Sequence, residues 1–394
     1  MKDFRKSMDR LLGAEVESGN LAGVSALALH HGKEIYESYF GDADREAHVP
    51  MARDTIIRLY SMTKPVTAAA VMILAERGLI DLLDPVSRYL PEFGDMTVLP
   101  EPGREEKCQR EITLTDLLNM TSGILYPEYW EGCNPAGRKV DEVLRPVIRR
   151  ITEGEVVSTR EFVKRIAECP LGFQPGDRWG YGYGADVLGA VVEVAAGMPF
   201  EEFLKKEIFD PLQMADTGFF VPEEKLPRFA MSYDGAGEGV LIPATASNLG
   251  EYYRDDGKTG RFASGGAGLV STLDDYARFA QMMISGGSFK GQRILGEHTV
   301  RFMTRNRLRP DQMGPLNWCG NRGYGYGNLM RVLVDQKAAG SNAALGEFGW
   351  DGWTGNYVSM DPENDLVFLL FTQKRGVVLE TLIRRLKFIL YGAI

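Results

Sequence analysis

The sequence predicts a mixed α/β (α+β) fold, in which one antiparallel sheet is built from the two ends of the chain. Two hairpin patterns carry this prediction, over residues 23–40 and residues 355–372. The stretch between them is rich in helix signals. Strands at both ends with helices between them are typical of a sheet that holds an inserted helical region. We therefore expect a sheet region of residues 1–60 and 262–394 and a mostly helical region of residues 61–261, with the candidate site at their junction.

Terminal helices flank the expected sheet. Residues 4–18 show an amphipathic helical pattern, and a final helix is predicted over residues 378–391. Short helices in the inserted region end near a glycine or a proline, as helices commonly do. These predicted helices cover residues 113–120, 159–168, 186–196 and 200–208. Thr272, with Asp275 three residues later, has the spacing of a helix start. Residues 314–327 are predicted to form a loop or a short strand.

Ser61 and Lys64 lie one helical turn apart at the start of a long apolar helix. Pro65 fits only a first helical turn, because its missing N–H would have no partner there. Residues three apart share a helix face, so the hydroxyl and the amine are expected within reach of each other. The positive helix N-terminus disfavours an ammonium and should help Lys64 exist as a neutral base. A serine needs such a neighbour to act as a nucleophile. The pair therefore indicates an acyl-serine enzyme, although spacing alone also allows a capping serine and a solvated lysine.

Composition narrows the class of protein. The chain has 394 residues, of which 44% are hydrophobic and 25% are charged, as in ordinary soluble proteins. A net charge of −9 argues against nucleic acid or an anionic membrane as a partner. The charged start of the chain does not resemble a signal peptide, and the four cysteines are scattered. We expect a cytoplasmic protein with a small-molecule substrate and with neither metal nor cofactor.

A glycine-rich segment, Trp179-Gly180-Tyr181-Gly182-Tyr183, comes just before a predicted helix. Glycines on both sides of Tyr181 permit an irregular backbone that can aim its phenol into a cleft. A phenol near a cationic lysine can lose its proton more easily, or pass it to a leaving group. The alternative is that Tyr181 and Tyr183 are loop aromatics that pack on the core.

Six motif-bearing segments follow one another along the chain. They are Ser61 to Pro65, Leu79 to Pro85, Ile112 to Gly123, Trp179 to Gly189, Gly265 to Thr272, and Asp361-Pro362. In this order they resemble the serine β-lactamase and penicillin-binding-protein superfamily, and more narrowly its class C β-lactamase-like (family VIII) carboxylesterases. The resemblance implies a β-lactamase/transpeptidase-like fold. It also implies Ser61 as nucleophile, Lys64 as its base and Tyr181 as the partner that shuttles the proton.

The third motif of that superfamily, Lys-Thr-Gly, has a literal copy at Lys258-Thr259-Gly260. This copy lies in a polar, turn-like setting and precedes Gly265-Gly266 instead of following it. The motif should lie on an edge strand before the final hairpin, and Trp350-Asp351-Gly352 stands at that place. The resemblance then makes the backbone N–H groups of Ser61 and Trp353 the oxyanion hole. Such a donor contributes about 10²–10³ in rate.

Two departures from the superfamily pattern bear on the substrate. Trp350 stands where the family's lysine binds a substrate carboxylate, and Tyr183 stands where its asparagine binds an acylamino group. A site without that cation and that amide should discriminate poorly in favour of penicillins or D-Ala-D-Ala peptides. Three loop aromatics predict an apolar pocket for acyl or alkyl groups: Tyr126, Tyr129 and Trp130. Simple core burial is an equal alternative for these loop aromatics. Gly352 is also expected to contact the substrate.

The sequence thus predicts a serine hydrolase that cleaves carboxylic esters through an acyl-Ser61 intermediate. Three alternatives stay open: an amide-directed enzyme of the β-lactamase, D-aminopeptidase or D,D-carboxypeptidase kind, an acyltransferase, and a non-catalytic binding module. A different serine-hydrolase architecture is excluded, because no serine has the flanking glycines of the α/β-hydrolase G-x-S-x-G elbow.

Overall fold

One antiparallel sheet draws its eight strands from both ends of the chain in the computed structural model, which describes residues 4–127, 135–244, 254–255, 262–316 and 320–394. The strands are β1 (Gly23–His30), β2 (Lys33–Asp44), β3 (Val49–Pro50), β4 (Tyr324–Gly327), β5 (Met330–Leu333), β6 (Phe348–Gly349), β7 (Tyr357–Asp361) and β8 (Leu366–Thr372). Their order across the sheet is β4-β5-β6-β7-β8-β1-β2-β3. The two predicted hairpins meet where β1 pairs with β8. The predicted α/β fold is therefore confirmed.

Helices cover both faces of this sheet. In chain order the described α-helices are α1 (Phe4–Glu17), α2 (Thr63–Glu76), α3 (Leu114–Leu118), α4 (Pro135–Thr152), α5 (Thr159–Ile166), α6 (Gly184–Ala196), α7 (Phe200–Leu204), α8 (Leu273–Ile284), α9 (Glu297–Met303), α10 (Gln336–Ala339) and α11 (Glu380–Tyr391). Helices α1 and α11 pack together on one face, and α8 packs against β7, β8 and β1 on the other. None of the helices just named is long and apolar enough to cross a membrane.

Strand β1 shows how the two faces are filled. Successive side chains of a strand point to opposite faces of a sheet. Leu27 and Leu29 pack into the core shared with α2 and α8, whereas Ala26 and Ala28 pack into the core shared with α1 and α11. Both faces are covered, so the strand is apolar along almost its whole length rather than alternating with polar residues.

Five short ladders lie outside the main sheet. They pair Ile57–Arg58 with Val270–Ser271, Thr97–Glu101 with Arg104–Lys107, Val221–Pro222 with Arg254–Asp255, Tyr233–Gly237 with Val240–Pro243, and Ser288–Phe289 with Gln292–Arg293. The first of them matters for the site, because it ties the strand before Ser61 to the segment that follows Gly266. The division of the chain into a sheet region of residues 1–60 and 262–394 and a helical region of residues 61–261 stays a prediction.

The hairpin of β4 and β5 is an addition to the predicted sheet. Its two turn residues, Asn328 and Leu329, both have positive φ angles, of 50° and 65°. Two-residue hairpins need this conformation and usually obtain it from an Asn-Gly pair. Because leucine stands in place of the glycine here, the sequence does not predict the turn. The backbone N–H of Leu329 donates to Leu118 O, and that of Asn328 donates to Asn119 Oδ1. Contacts with the helical region therefore hold the turn. The α-helix predicted over residues 200–208 also differs, because it changes at Lys205–Phe209 to a π-helical turn.

An ion pair is buried between α11 and the sheet. Lys387 Nζ lies 3.1 Å from Glu347 Oε2, and the two side chains are only 4% and 0% exposed. Tyr324 OH and Ser359 Oγ also donate to the Glu347 carboxylate, at 3.1 and 2.5 Å. Burial alone would lower the pKa of Lys387, but the Glu347 carboxylate and the neighbouring phenols of Tyr357 and Tyr324 together outweigh it and raise that pKa above its ordinary value. The ammonium therefore stays charged at neutral pH.

We predict that Lys387→Met lowers the free energy of unfolding by about 3–5 kcal/mol, because it leaves the Glu347 carboxylate buried without its cation. Urea denaturation followed by circular dichroism measures this change. The control is Lys139→Met, which removes an ion pair with Glu142 whose side chains are 54% and 62% exposed. We expect no measurable change there. Equal losses in the two variants would contradict a special role for the buried pair.

Candidate active site

Ser61 lies in a tight turn between a strand and a helix. The short strand Ile57–Arg58 leads into a 3₁₀ turn, Tyr60–Met62, and α2 begins at Thr63. Tyr60 has a φ angle of +47°, which is uncommon for a bulky residue and stores strain. The Tyr60 side chain is buried, and its ring packs edge-on against Trp353 with 5.5 Å between the centroids. The surrounding packing thus holds the turn that presents the Ser61 hydroxyl at the N-terminal end of α2.

Lys64 and Tyr181 both reach the Ser61 hydroxyl. Lys64 Nζ lies 3.2 Å from Ser61 Oγ, and Tyr181 OH donates to the same oxygen at 2.7 Å. The Lys64 side chain is fully buried, and its Nζ also donates to the carbonyl of Gly266 at 2.8 Å. The amine lies 4.6 Å from the centre of the Tyr181 ring. A hydroxyl, an amine and a phenol therefore form one hydrogen-bonded group, an arrangement that can activate a serine for acyl transfer.

Tyr126 completes the surroundings of the amine. Its phenol oxygen lies 3.2 Å from Lys64 Nζ. Burial, together with the negative charge of Asp186, holds the pKa of the Tyr126 phenol well above its usual range. This phenol therefore remains protonated. Lys64 Nζ donates to this phenol oxygen, as it does to the Gly266 carbonyl, so Tyr126 is a further polar partner of the buried amine.

Asp186, at the start of α6, fixes the backbone that holds Lys64. Ser264 Oγ donates to Asp186 Oδ1 at 2.5 Å, and the backbone N–H of Gly266 donates to it at 3.2 Å. Burial raises the pKa of the Asp186 carboxyl, although the Ser264 hydrogen bond and the Lys64 charge act in the opposite direction. The side chain is 1% exposed. A buried carboxyl therefore orients the carbonyl that binds the lysine.

The segment Trp350-Asp351-Gly352-Trp353 forms the opposite wall. Trp350 is 3% exposed, and its Nε1–H donates to Tyr181 OH at 3.0 Å. A Cβ atom on Gly352 would lie only 2.5 Å from Leu59 O, so only glycine permits this close approach to the Ser61 turn. The Gly352 N–H donates to Asn356 O at 2.8 Å, which fixes the loop.

The backbone donors of Ser61 and Trp353 are available to a ligand. No hydrogen-bond acceptor for either N–H is found among the residues that the structure describes. Both residues line the same cavity. The carbonyl of Trp353 accepts from the N–H of Gly376 at 2.9 Å, which fixes the peptide orientation on that side. Two such donors beside a serine can stabilise an oxyanion.

A cavity of about 780 Å³ opens above Ser61. Tyr126, Tyr181, Tyr183 and Trp350 line it. Tyr183 is 1% exposed, and its ring packs against Tyr126 with 4.4 Å between the centroids. The size is that of pockets for drug-sized ligands.

Among the residues that the structure describes, every charged side chain that lines the cavity is held in an ion pair. These pairs are Arg145 with Asp141, Arg331 with Asp351, Arg384 with Glu380, and Lys387 with Glu347. Arg331 is 2% exposed and also donates to the carbonyl of Val358 at 2.7 Å. The cavity therefore offers no uncompensated charge to a ligand.

The structure brings together most of the site residues that the sequence singles out. Tyr129, Trp130 and the Lys258-Thr259-Gly260 copy lie outside the described residues. Gly266, Asp186 and Arg331 were not predicted as site residues. A carboxylate in the first turn of the apolar helix that follows Tyr181 was the available signal for Asp186. Within the described ranges, no group of three or more His, Cys, Asp or Glu residues is placed to hold a metal ion.

Comparisons with known proteins cover the whole fold. The Beta-lactamase family model matches residues 8–389. Esterase EstB of Burkholderia gladioli is 32% identical over 382 residues, which cover 93% of this chain and 89% of that protein. Protein Rv1367c of Mycobacterium tuberculosis is 31% identical over 374 residues, which cover 91% and 87% respectively. Among solved structures, EstCE1, a hydrolase with promiscuous acyltransferase activity, is 24% identical, with a TM-score of 0.81 and 99% of both chains covered.

We predict that a fluorophosphonate probe labels the wild-type protein once, on Ser61, because among the described residues only this hydroxyl lies beside a buried amine and two backbone N–H groups without an acceptor. Mass spectrometry of the intact protein and of its peptides measures the adduct. Ser61→Ala should remove the label. Ser341→Ala is the matched control, since Ser341 lines the same cavity but accepts only from the N–H of Ala343. An equal adduct on Ser61→Ala would refute the assignment of the nucleophile.

Proposed function

This chain belongs to the Beta-lactamase family, whose members are serine hydrolases, and we propose that it hydrolyses neutral carboxylic esters through an acyl intermediate on Ser61. One observation carries the proposal. Tyr181 and Lys64 both contact Ser61 Oγ, at 2.7 and 3.2 Å, beneath a large cavity whose charges are paired.

In the acylation step, the Ser61 hydroxyl attacks the ester carbonyl. Lys64, assisted by Tyr181, accepts the hydroxyl proton as the new C–O bond forms. The negative charge moves to the former carbonyl oxygen, where the N–H groups of Ser61 and Trp353 stabilise it. Tyr181 then donates a proton to the leaving alcohol as the ester bond breaks.

Deacylation uses the same groups in reverse. Water takes the place of the alcohol, and the Lys64–Tyr181 pair accepts its proton as it attacks the acyl-serine carbonyl. The proton returns to Ser61 Oγ when the acid leaves. The hydrogen bond from Trp350 Nε1 to Tyr181 OH supports this role, because it fixes the position of the phenol oxygen beside Ser61.

The cavity supports an ester rather than a β-lactam or a D-Ala-D-Ala peptide. Those substrates carry a carboxylate, and each cation that lines the cavity already has a carboxylate partner. An anionic substrate would therefore be desolvated without compensation. Trp350 presents an indole where a lysine would bind the anion. The 32% identity with the protein named Esterase EstB also favours an ester substrate.

We predict that p-nitrophenyl butyrate is hydrolysed with a kcat/KM at least about 100-fold above that for a chromogenic cephalosporin or a D-amino acid p-nitroanilide, because the charged side chains that line the cavity are already paired and leave the carboxylate or ammonium of the latter two uncompensated. Absorbance assays of the three substrates measure the ratio. The control is Ser61→Ala, and loss of hydrolysis in this variant shows that the measured rates come from this site. Comparable rates for the ester and the amides would favour the amide-directed alternative.

We also predict that Tyr181→Phe lowers kcat about 10²–10⁴-fold, as expected when a general acid–base group is lost. Tyr126→Phe is the matched control. It removes the same atom from a phenol that contacts Lys64 but, in the described structure, not Ser61 Oγ. We expect a smaller loss of kcat for that variant. A larger loss for Tyr126→Phe than for Tyr181→Phe would reassign the proton shuttle.

A further inference from the structure

The cavity above Ser61 continues past Trp353 into a second space between the sheet and α11. We call this space the rear compartment. Its walls include Tyr357 of β7, Val377 and Leu379 in the segment before α11, and Ile383 of α11. It belongs to the same continuous volume of about 780 Å³ as the space above Ser61. A ligand bound at Ser61 can therefore extend into it.

Glycines line the passage between the two spaces. Gly352, Gly355 and Gly376 all border the cavity near Trp353. A Cβ atom on Gly355 would lie 2.5 Å from Val377 Cγ1, so any side chain there would displace the wall of the passage. Gly355 and Gly376 also have φ angles of +85° and +67°, which glycine adopts without strain. The backbone along the passage therefore carries no side chains, which leaves space for the hydrocarbon chain of a substrate.

The chemistry of the rear compartment favours an uncharged, apolar occupant. Tyr357 and Leu379 are 4% and 6% exposed and belong to the core between α11 and the sheet. Val377 and Ile383 pack on the edge of this core and remain partly exposed. Lys387 and Arg331 at its floor are paired with Glu347 and Asp351.

The position of Tyr181 beside Ser61 decides which part of the ester, the acyl chain or the alcohol, can lie in the rear compartment. Tyr181 has to reach the leaving oxygen, so the alcohol part lies on the Tyr181 side of Ser61. Two contacts place the rear compartment beside Trp353, the proposed oxyanion donor: the Gly376 N–H donates to Trp353 O, and Val377 packs against Gly355. We propose that it binds the acyl chain, and that esters of medium- and long-chain acids are the substrate class. This inference rests on the proposed ester hydrolysis.

The test is a chain-length series with one leaving group: p-nitrophenyl acetate, butyrate, octanoate and decanoate. Each methylene that enters the compartment should raise kcat/KM of the wild type, by up to about four-fold. Ile383→Trp fills the compartment and should lower kcat/KM for the decanoate about ten-fold or more, while that for the acetate changes less than about two-fold. Phe388→Trp is the control, because Phe388 lies on the same helix with its side chain 52% exposed.

A second variant, Val377→Phe, narrows the passage from the other wall and should give the same selective loss if Ile383→Trp does not fold. A chain-length profile that equals the wild type in both folded variants overturns the inference, even when Ser61-dependent hydrolysis of the acetate is intact. A selective loss for decyl acetate, which carries its long chain in the alcohol, also overturns it. If the wild type hydrolyses none of these esters, the proposed function itself fails.

Discussion

A lysine amine buried without any exposed surface is the constraint on which the site depends. An amine removed from water must find hydrogen-bond partners, or its burial costs several kcal/mol. Lys64 finds them on segments that are far apart in the chain: the Ser61 turn, the loop of Tyr126, and the carbonyl of Gly266. These contacts form only when the start of α2, the Tyr126 loop and the Gly266 segment have all come together. Burial of one amine thus links the overall fold to the reactivity of a single hydroxyl.

The position of the Ser61 hydroxyl is fixed by tight packing of the turn around it. Tyr60 holds a left-handed conformation against Trp353, and Gly352 approaches Leu59 so closely that a methyl group would not fit. Strain of this kind persists only where its surroundings determine the conformation. The same contacts bring the backbone donors of two distant segments to one hydroxyl. Donors fixed in advance need no reorganisation when charge develops on the substrate, and this is the main source of their catalytic value.

Local patterns predicted much of the fold and part of the site. The hairpins of β1–β2 and β7–β8, the terminal helices, and the Ser61–Lys64 turn follow from periodicity and from one proline. Tyr181 depended on a family resemblance as well as on its flanking glycines. The β4–β5 hairpin was not predictable, because Leu329 takes its left-handed conformation from contacts with α3. The contact of the Gly266 carbonyl with Lys64 and the rear compartment were also not predictable. Both are formed by segments that are far apart in the chain, and such features leave no local pattern in a sequence.

The pairing of β1 with β8 has a consequence for biosynthesis. Beside this ladder, His31 and Asp365 bond to each other across 334 residues of sequence. During synthesis, β1 therefore leaves the ribosome long before its partner strand β8 has been made. Contacts of such long sequence separation form slowly, and an unpaired apolar strand edge can associate with other chains in the meantime. The nascent protein has to keep β1 from aggregating until translation of the last hairpin is complete.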